Sequence, residues 1–188
     1  AKPERENCDG YAYDPENPSQ HIIDMSENEI EVPEDYTREE LRQDLLCYTS
    51  PVLKEDLVLT GDMTAELYIS SDAPDTDFVV RVTDVDENGR SIKLADGLLS
   101  ARYRNGFARS EFLQEGEIVC LKIRTTKLSN CFRKGHRIRV TVTSSAKNFI
   151  FPNSNTREGF ASARTVVAHN RVYHGGLHAS RLTVRVEP

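Results

Sequence analysis

An all-β sandwich is the fold class that this sequence predicts, and three observations predict it. Apolar residues recur at every second position from Leu57 onward, the period of a strand with one buried face. Glycine-containing turn signals fall between those runs, and no long segment carries the 3.6-residue period of an amphipathic helix. The chain of 188 residues is also long enough to bury a real core without tryptophan, using Val, Ile, Leu and Phe.

Each element follows in order. Residues 1–36 read as an extended arm, broken by Pro3, Pro15, Pro18 and Pro33, with "YDPENPSQ" rich in turn residues. Ile22, Ile23, Met25, Ile30 and Val32 make the arm too apolar for a free tail, so it is expected to lie against something. Thr37-Arg38-Glu39-Glu40 matches a capping box, and Leu41, Leu45 and Leu46 follow, so a helix of about two turns is expected there. The arm and linker are assigned to residues 1–44 and the sandwich to 45–188.

Within the body, Ala65, Leu67 and Ile69 alternate with Glu66 and Tyr68. Val119, Leu121 and Ile123 alternate with Cys120, Lys122 and Arg124. Ile138, Val140 and Val142 alternate with basic residues and threonines in the cleanest strand of the chain. Leu182, Val184 and Val186 close the series. Seven to nine half-buried strands in two packed sheets are expected.

Five aspartates and one glutamate fall within Ser71–Ser91. Asp84–Gly89 matches the first half of an EF-hand loop, but position twelve, where a bidentate Glu belongs, is Ala95. A hairpin accounts for the segment better: Phe78, Val80 and Val82 alternate with Val79, Arg81 and Thr83, and Asn88-Gly89 is a favoured two-residue turn.

The net charge of −6 divides unevenly. Residues 1–56 carry sixteen Asp/Glu against five Lys/Arg, and residues 57–188 carry fourteen against nineteen. An acidic arm beside a basic body implies that the two attract each other, or that the arm meets another basic surface. The basic residues are scattered rather than clustered with aromatics, so no nucleic-acid partner is expected. No apolar run is long enough for a membrane helix. Cys8, Cys47, Cys120 and Cys131 are widely spaced without a C-x-x-C pair, so reduced thiols and a cytoplasmic location are expected.

Catalytic and metal motifs are incomplete. Gly89-Arg90-Ser91-Ile92-Lys93 lacks the second glycine of a nucleophile elbow, and Ser144-Ser145 has no flanking glycine. His169, His174 and His178 lie within ten residues, yet no nearby Asp, Glu or Cys in sequence completes a metal set. No cofactor is implied. Asp72, Asp75 and Asp77 read as a hydrogen-bonded loop between two strands, with a domain contact and an all-oxygen cation site as alternatives.

The stretch from Leu57 to Gly106 resembles the C-terminal domain of the X-Pro dipeptidyl-peptidase/cocaine esterase family of serine hydrolases. The resemblance rests on Ser70-Ser71-Asp72, Asp75-Thr76-Asp77-Phe78, Asp84-Val85, Gly97 and Ala101-Arg102-Tyr103-Arg104, then "FRKGHRIRVTVTSS", "NSNT" at 153–156 and "HGGLHASRLTVRV". It implies a jelly-roll β-sandwich of the galactose-binding-like type, following an α/β-hydrolase domain that carries the Ser-His-Asp triad. This chain would then hold no catalytic residue and no metal. Asp75, Thr76, Asp77 and Phe78 become the candidate substrate-pocket or domain-interface loop, the aspartates fixing the loop and Phe78 presenting or burying an aromatic face. The implied partner is the catalytic domain of the same polypeptide, and the patch it would cover can also pair copies into a homo-oligomer. A carbohydrate-binding module is the alternative, with Tyr68, Tyr103 and Tyr173 as the plausible stacking residues.

Overall fold

A computed structural model describes residues 7–22 and 33–184, and it is the all-β sandwich that the period-two pattern predicts. Twelve strands follow in chain order: β1 (Cys8–Tyr13), β2 (Leu45–Thr49), β3 (Leu57–Gly61), β4 (Thr64–Ser71), β5 (Asp77–Val85), β6 (Ser91–Ser100), β7 (Val119–Arg124), β8 (Leu128–Phe132), β9 (Arg137–Thr143), β10 (Ala168–Gly175), β11 (His178–Ala179) and β12 (Arg181–Thr183). No helix among the described residues is long and apolar enough to cross a membrane.

The first sheet runs β1-β10-β4, with β7 on the far edge of β4. One side of β4 is shared by two strands. Β10 pairs with it from Tyr68 to Ser71 and β12 from Thr64 to Glu66, while residues 174–180 leave the sheet in between. The second sheet runs β2-β9-β5-β6, and β3 and β8 form a separate two-stranded ribbon. Inward residues of both sheets meet in one core of Ala65, Leu67, Ile69, Phe78, Val80, Leu121, Ile123, Val142 and Val172. A second cluster, built on Leu59, Met63, Val82, Ala95, Leu128 and Phe132, fastens the ribbon to it.

The β5–β6 hairpin is present, but its turn differs from the two-residue form expected. Asp86 donates its N–H to the carbonyl of Arg90 at 3.0 Å, which leaves three residues in the loop. Only Gly89 has a positive φ, +85°, while Asn88 does not. This is a three-residue loop with glycine at its left-handed position. The Asp86 carboxylate accepts from the N–H groups of Asn88 and Arg90, so this acidic residue serves the turn itself.

The helix expected after Thr37 shrinks to a single 3-10 turn, Glu39–Leu41. The Thr37 hydroxyl bonds Asp35 and accepts from the N–H of Ser91 instead of capping a helix. Leu45 and Leu46 pair with Thr143 and Val142 of β9, so sheet pairing overrides the local capping signal.

The arm is held by polar contacts. Cys8–Tyr13 pairs along β10. Glu34 meets Lys93 at 2.7 Å, Asp35 meets Arg90 at 2.9 Å and Glu40 meets Arg139 at 2.5 Å. Among the described residues, the expected attraction between arm and body is seen in these pairs. Ile23, Met25, Ile30 and Val32 lie outside the described residues.

Candidate functional site

The loop from Asp72 to Asp77 joins β4 of one sheet to β5 of the other, so its carboxylates sit where the two sheets come together at one end of the sandwich. Asp75 is fully buried and makes three bonds. Its Oδ1 accepts from the backbone N–H of Arg102 at 2.9 Å, and its Oδ2 accepts from Arg102 Nε at 2.8 Å and Asn153 Nδ2 at 2.6 Å. The other hydrogen of that amide reaches Asp77 Oδ1 at 2.9 Å. A buried carboxylate needs such partners, because an unpaired one would change protonation state. Burial pushes the carboxyl of Asp77 above its ordinary range, against the hydrogen bonds from Ser100 and Asn153, and the charge of Asp75 adds to the rise.

Arg102 extends this network outward. Its two terminal nitrogens donate to the carbonyls of Arg157 and Thr156 at 3.0 Å each. The guanidinium lies over the ring of Phe112, 5.1 Å from its centroid, with Arg157 at 4.6 Å from the same ring. Gly159 has φ +65°, a conformation that favours glycine, and an added Cβ would lie 3.1 Å from the Arg102 guanidinium, which would have to shift by a few tenths of an ångström. Asn155, also at positive φ, donates to the carbonyl of Val166 at 2.6 Å. The "NSNT" segment is thus a hub that fixes residues 153–160 to the aspartate loop.

The outcome is a polar-floored recess of about 290 Å³, lined among others by Asp75, Asp77, Arg102, Tyr103, Phe151 and Phe160. Phe151 and Phe160 stack with centroids 5.8 Å apart, yet they are 79% and 71% exposed. Phe107, equally exposed, packs against Tyr103. Phe151 and Phe149 also line an adjoining groove with Pro15 and Pro18 of the arm.

The four candidate residues therefore separate. Asp75 and Asp77 floor the recess. Thr76 is buried, and its carbonyl accepts from the N–H of Ala101 at 2.9 Å. Phe78 points into the core between the sheets and presents no ring at the recess, because β5 is an inner strand and its position 78 faces the partner sheet. The exposed aromatic pair is supplied by Phe151 and Phe160, which the sequence reading passed over.

The other clusters resolve into local structure. Asp72 accepts from the backbone and ring of His169 at 2.8 and 2.7 Å; burial opposes these bonds, but they win, and its carboxyl lies below the usual range. His174 faces Asp9 at 3.1 Å, and His178 lies against the rings of Tyr68 and Tyr173. The three histidines thus have three separate environments, and no metal-ligand group occurs among the described residues. Ser144 bonds the hydroxyl of Tyr11 at 2.8 Å, and the Ser91 hydroxyl lies 2.8 Å from both the Glu40 carboxylate, to which it donates, and the Thr83 hydroxyl.

A family described as the X-Pro dipeptidyl-peptidase C-terminal non-catalytic domain matches residues 3–183. Cocaine esterase from Rhodococcus sp. is 35% identical over 188 residues, covering 96% of this chain but 32% of that protein. An aminopeptidase from a marine sediment Thaumarchaeota archaeon superposes with a TM-score of 0.90 at 24% identity, over 99% of this chain and 34% of the other. An α-amino acid ester hydrolase gives a TM-score of 0.90 at 22% identity, over 98% and 33%. In each comparison this chain spans about a third of the matched protein.

Proposed function

This chain belongs to the X-Pro dipeptidyl-peptidase C-terminal non-catalytic domain family, and on that premise we propose that its exposed aromatic face packs on the catalytic domain of a larger serine hydrolase. The recess between Asp75, Arg102 and the Phe151–Phe160 pair would border the entrance through which an ester or amide substrate reaches that domain. The observation that carries this reading is the stacked pair itself. Two large rings left in water beside a densely hydrogen-bonded floor have the composition of an interface centre. The network beneath them costs conformational freedom before any partner arrives, which is how a docking surface is preorganised. Residues 1–44 are proposed as the connecting arm and 45–188 as the body that it braces. A cytoplasmic location completes the proposal, with the free thiols of Cys8, Cys47, Cys120 and Cys131 in support.

The test uses the full-length protein and its two parts. Phe151→Ser with Phe160→Ser should weaken association between this chain and a separately produced catalytic domain by tenfold or more. The same pair of changes in the full-length enzyme should lower kcat/KM for bulky acyl esters, while the melting temperature of this chain alone stays put. Unchanged association together with unchanged kinetics would overturn the assignment of this face.

A further inference from the structure

The outer face of the first sheet carries a second concavity at its β1 edge, and it shares no residue with the recess. Two strands build it. Along β10, Ala168, Asn170 and Val172 are buried while His169 and Arg171 between them are exposed, so both basic residues project from the outer face. The antiparallel register sets Ala12 of β1 opposite His169 and Gly10 opposite Arg171. Two long basic side chains thus stand beside the two smallest residues of an edge strand, and a shelf of about 330 Å³ lies along them. Gly10 runs close to its neighbour, since an added Cβ would lie 3.6 Å from Arg171 Cγ and 3.3 Å from the Asn170 carbonyl oxygen. Tyr11 and Asn170 also border the shelf, but the Tyr11 hydroxyl and the Asn170 amide both turn inward to the hydroxyl of Ser144 at 2.8 Å.

The charges along the shelf do not cancel. Asp72 accepts from the backbone N–H of His169 at 2.8 Å and from its ring Nδ1 at 2.7 Å, which fixes the imidazole with Nε2 turned away from that carboxylate. Asp9, the acidic residue of β1, faces His174 at 3.1 Å. Arg171 has neither an ion pair nor a hydrogen bond among the described residues. The arginines of the neighbouring strands differ, because Asp62 holds Arg124 of β7 and Glu66 holds Arg181 of β12. When His169 is protonated, its charge and that of Asp72 offset each other, and the charge of Arg171 remains.

We propose that this shelf binds a carboxylate, with Arg171 gripping both of its oxygens and Nε2–H of protonated His169 donating to one of them. A guanidinium meets a carboxylate through two parallel bonds, and each oxygen keeps a lone pair for a further donor. Two positions along one strand face lie about 7 Å apart, a span that a carboxylate with a hydrogen bond on either side covers. The single remaining charge matches a carboxylate and would leave a phosphate dianion half compensated. Because Nδ1 already donates to Asp72, the neutral ring offers only a bare Nε2, so the imidazolium is the form that binds. The charged groups beside that ring are Asp72 and Arg171, and β1 sets only Ala12 opposite it. The site does not depend on the docking face proposed above, and it is tested on this chain alone.

Sodium acetate is titrated into the 188-residue chain at pH 5.5, with sodium chloride at equal ionic strength as the control. The His169 ring and the Arg171 Nε–H are followed by nuclear magnetic resonance. Saturable shifts at both groups are expected with acetate alone. Affinity should fall about threefold or more at pH 8, since a histidine ring changes charge across this range. Arg171→Gln should abolish saturation, whereas His169→Gln should keep weaker binding at Arg171 and remove its pH dependence. Both positions are exposed, so both variants should melt with the parent. A small acid and the C-terminus of a peptide offer the same group, so acetyl-trialanine with a free carboxylate is titrated in parallel. Binding about tenfold tighter than acetate assigns the shelf to a chain terminus, and equal affinity assigns it to a small acid. Shifts that chloride reproduces, or saturation that persists in Arg171→Gln, overturn the site. Acetate binding that is equal at both pH values overturns the role of His169.

Discussion

Phe78→Ala separates the two aromatic roles that the aspartate loop could play. The ring is fully buried in the core where both sheets meet, among Val80, Ala101, Leu113 and Val172. Truncation removes six ring carbons from a position that cannot collapse freely, because β5 is fixed by β6 on one side and β9 on the other. Phe→Ala changes at such sites cost about 3–5 kcal/mol. For a domain of this size each kcal/mol lowers the melting temperature by about 2–4 °C, so a fall of about 6–20 °C is expected. Phe151→Ala, at an exposed ring, should stay within about 0.5 kcal/mol of the parent. Both are read by thermal unfolding followed by circular dichroism. A melting temperature within 3 °C of the parent for Phe78→Ala would refute the placement of Phe78 in the core and restore it as a surface aromatic.

Three further outcomes follow from the same geometry. Arg102→Ala leaves the carboxylate of Asp75 buried without its cation and frees the carbonyls of Thr156 and Arg157; the loss should be about 3–5 kcal/mol, with faster amide exchange across residues 156–160. Gly97→Ala should destabilise strongly, because its Cβ would collide with the Arg124 carbonyl oxygen and lie 3.0 Å from the carbon of that carbonyl; denaturant unfolding reads the cost, and a neutral result would contradict this close approach. The carboxyl of Asp96 is held at about 2 against an ordinary 3.8, since hydrogen bonds and charge from His21 and Lys93 outweigh the burial that would raise it. A depressed folded-state value contributes stability that is complete above the unfolded pKa and is lost as pH falls from about 4 through 2, here roughly 2 kcal/mol. Asp96→Asn should flatten that part of the stability–pH curve, and an unaltered slope would remove Asp96 from the account.

What the sequence revealed followed the clarity of its periods. Β4, β7 and β9 were legible because each keeps one apolar face and one polar face over six or more residues. Β2 was hidden by a capping box whose residues serve other bonds, and no local signal announces that Leu45 will pair with Thr143 ninety-eight residues later. The aspartates of the candidate site were visible as a dense acidic cluster. Their partners Arg102 and Asn153 belonged to motifs quoted for resemblance, but only the fold brings them within bonding distance. Phe151 and Phe160 carry no period at all, because they lie in a turn-rich stretch outside any strand. The available signal was an apolar run, "FIFP", in a segment where a loop should be polar.

Arg81 shows why the same strand could be read correctly and still be misjudged in its surroundings. Alternation in β5 put Arg81 and Thr83 on the face away from the core, which would ordinarily mean water. Both are buried, because Ser19–His21 and Glu34–Glu40 of the arm cover that face. The guanidinium lies 4.9 Å over the ring of Tyr36 and donates to the carbonyl of Ser145 at 3.2 Å. Beside it, Lys93 is held between Glu34 and Asp96, and Glu40 joins Arg139 to the hydroxyl of Ser91. Ion pairs taken out of water add little net stability compared with apolar contacts, yet leaving one member unpaired is costly. Such a layer therefore acts mainly as a register device. One placement of the arm pairs Glu34, Asp35 and Glu40 with Lys93, Arg90 and Arg139 together, and a slip along the sheet would strand all of them. Glu34, Asp35 and Glu40 are thus matched to the basic residues that they cover, so this part of the acidic excess serves the folding of the domain before it serves any partner.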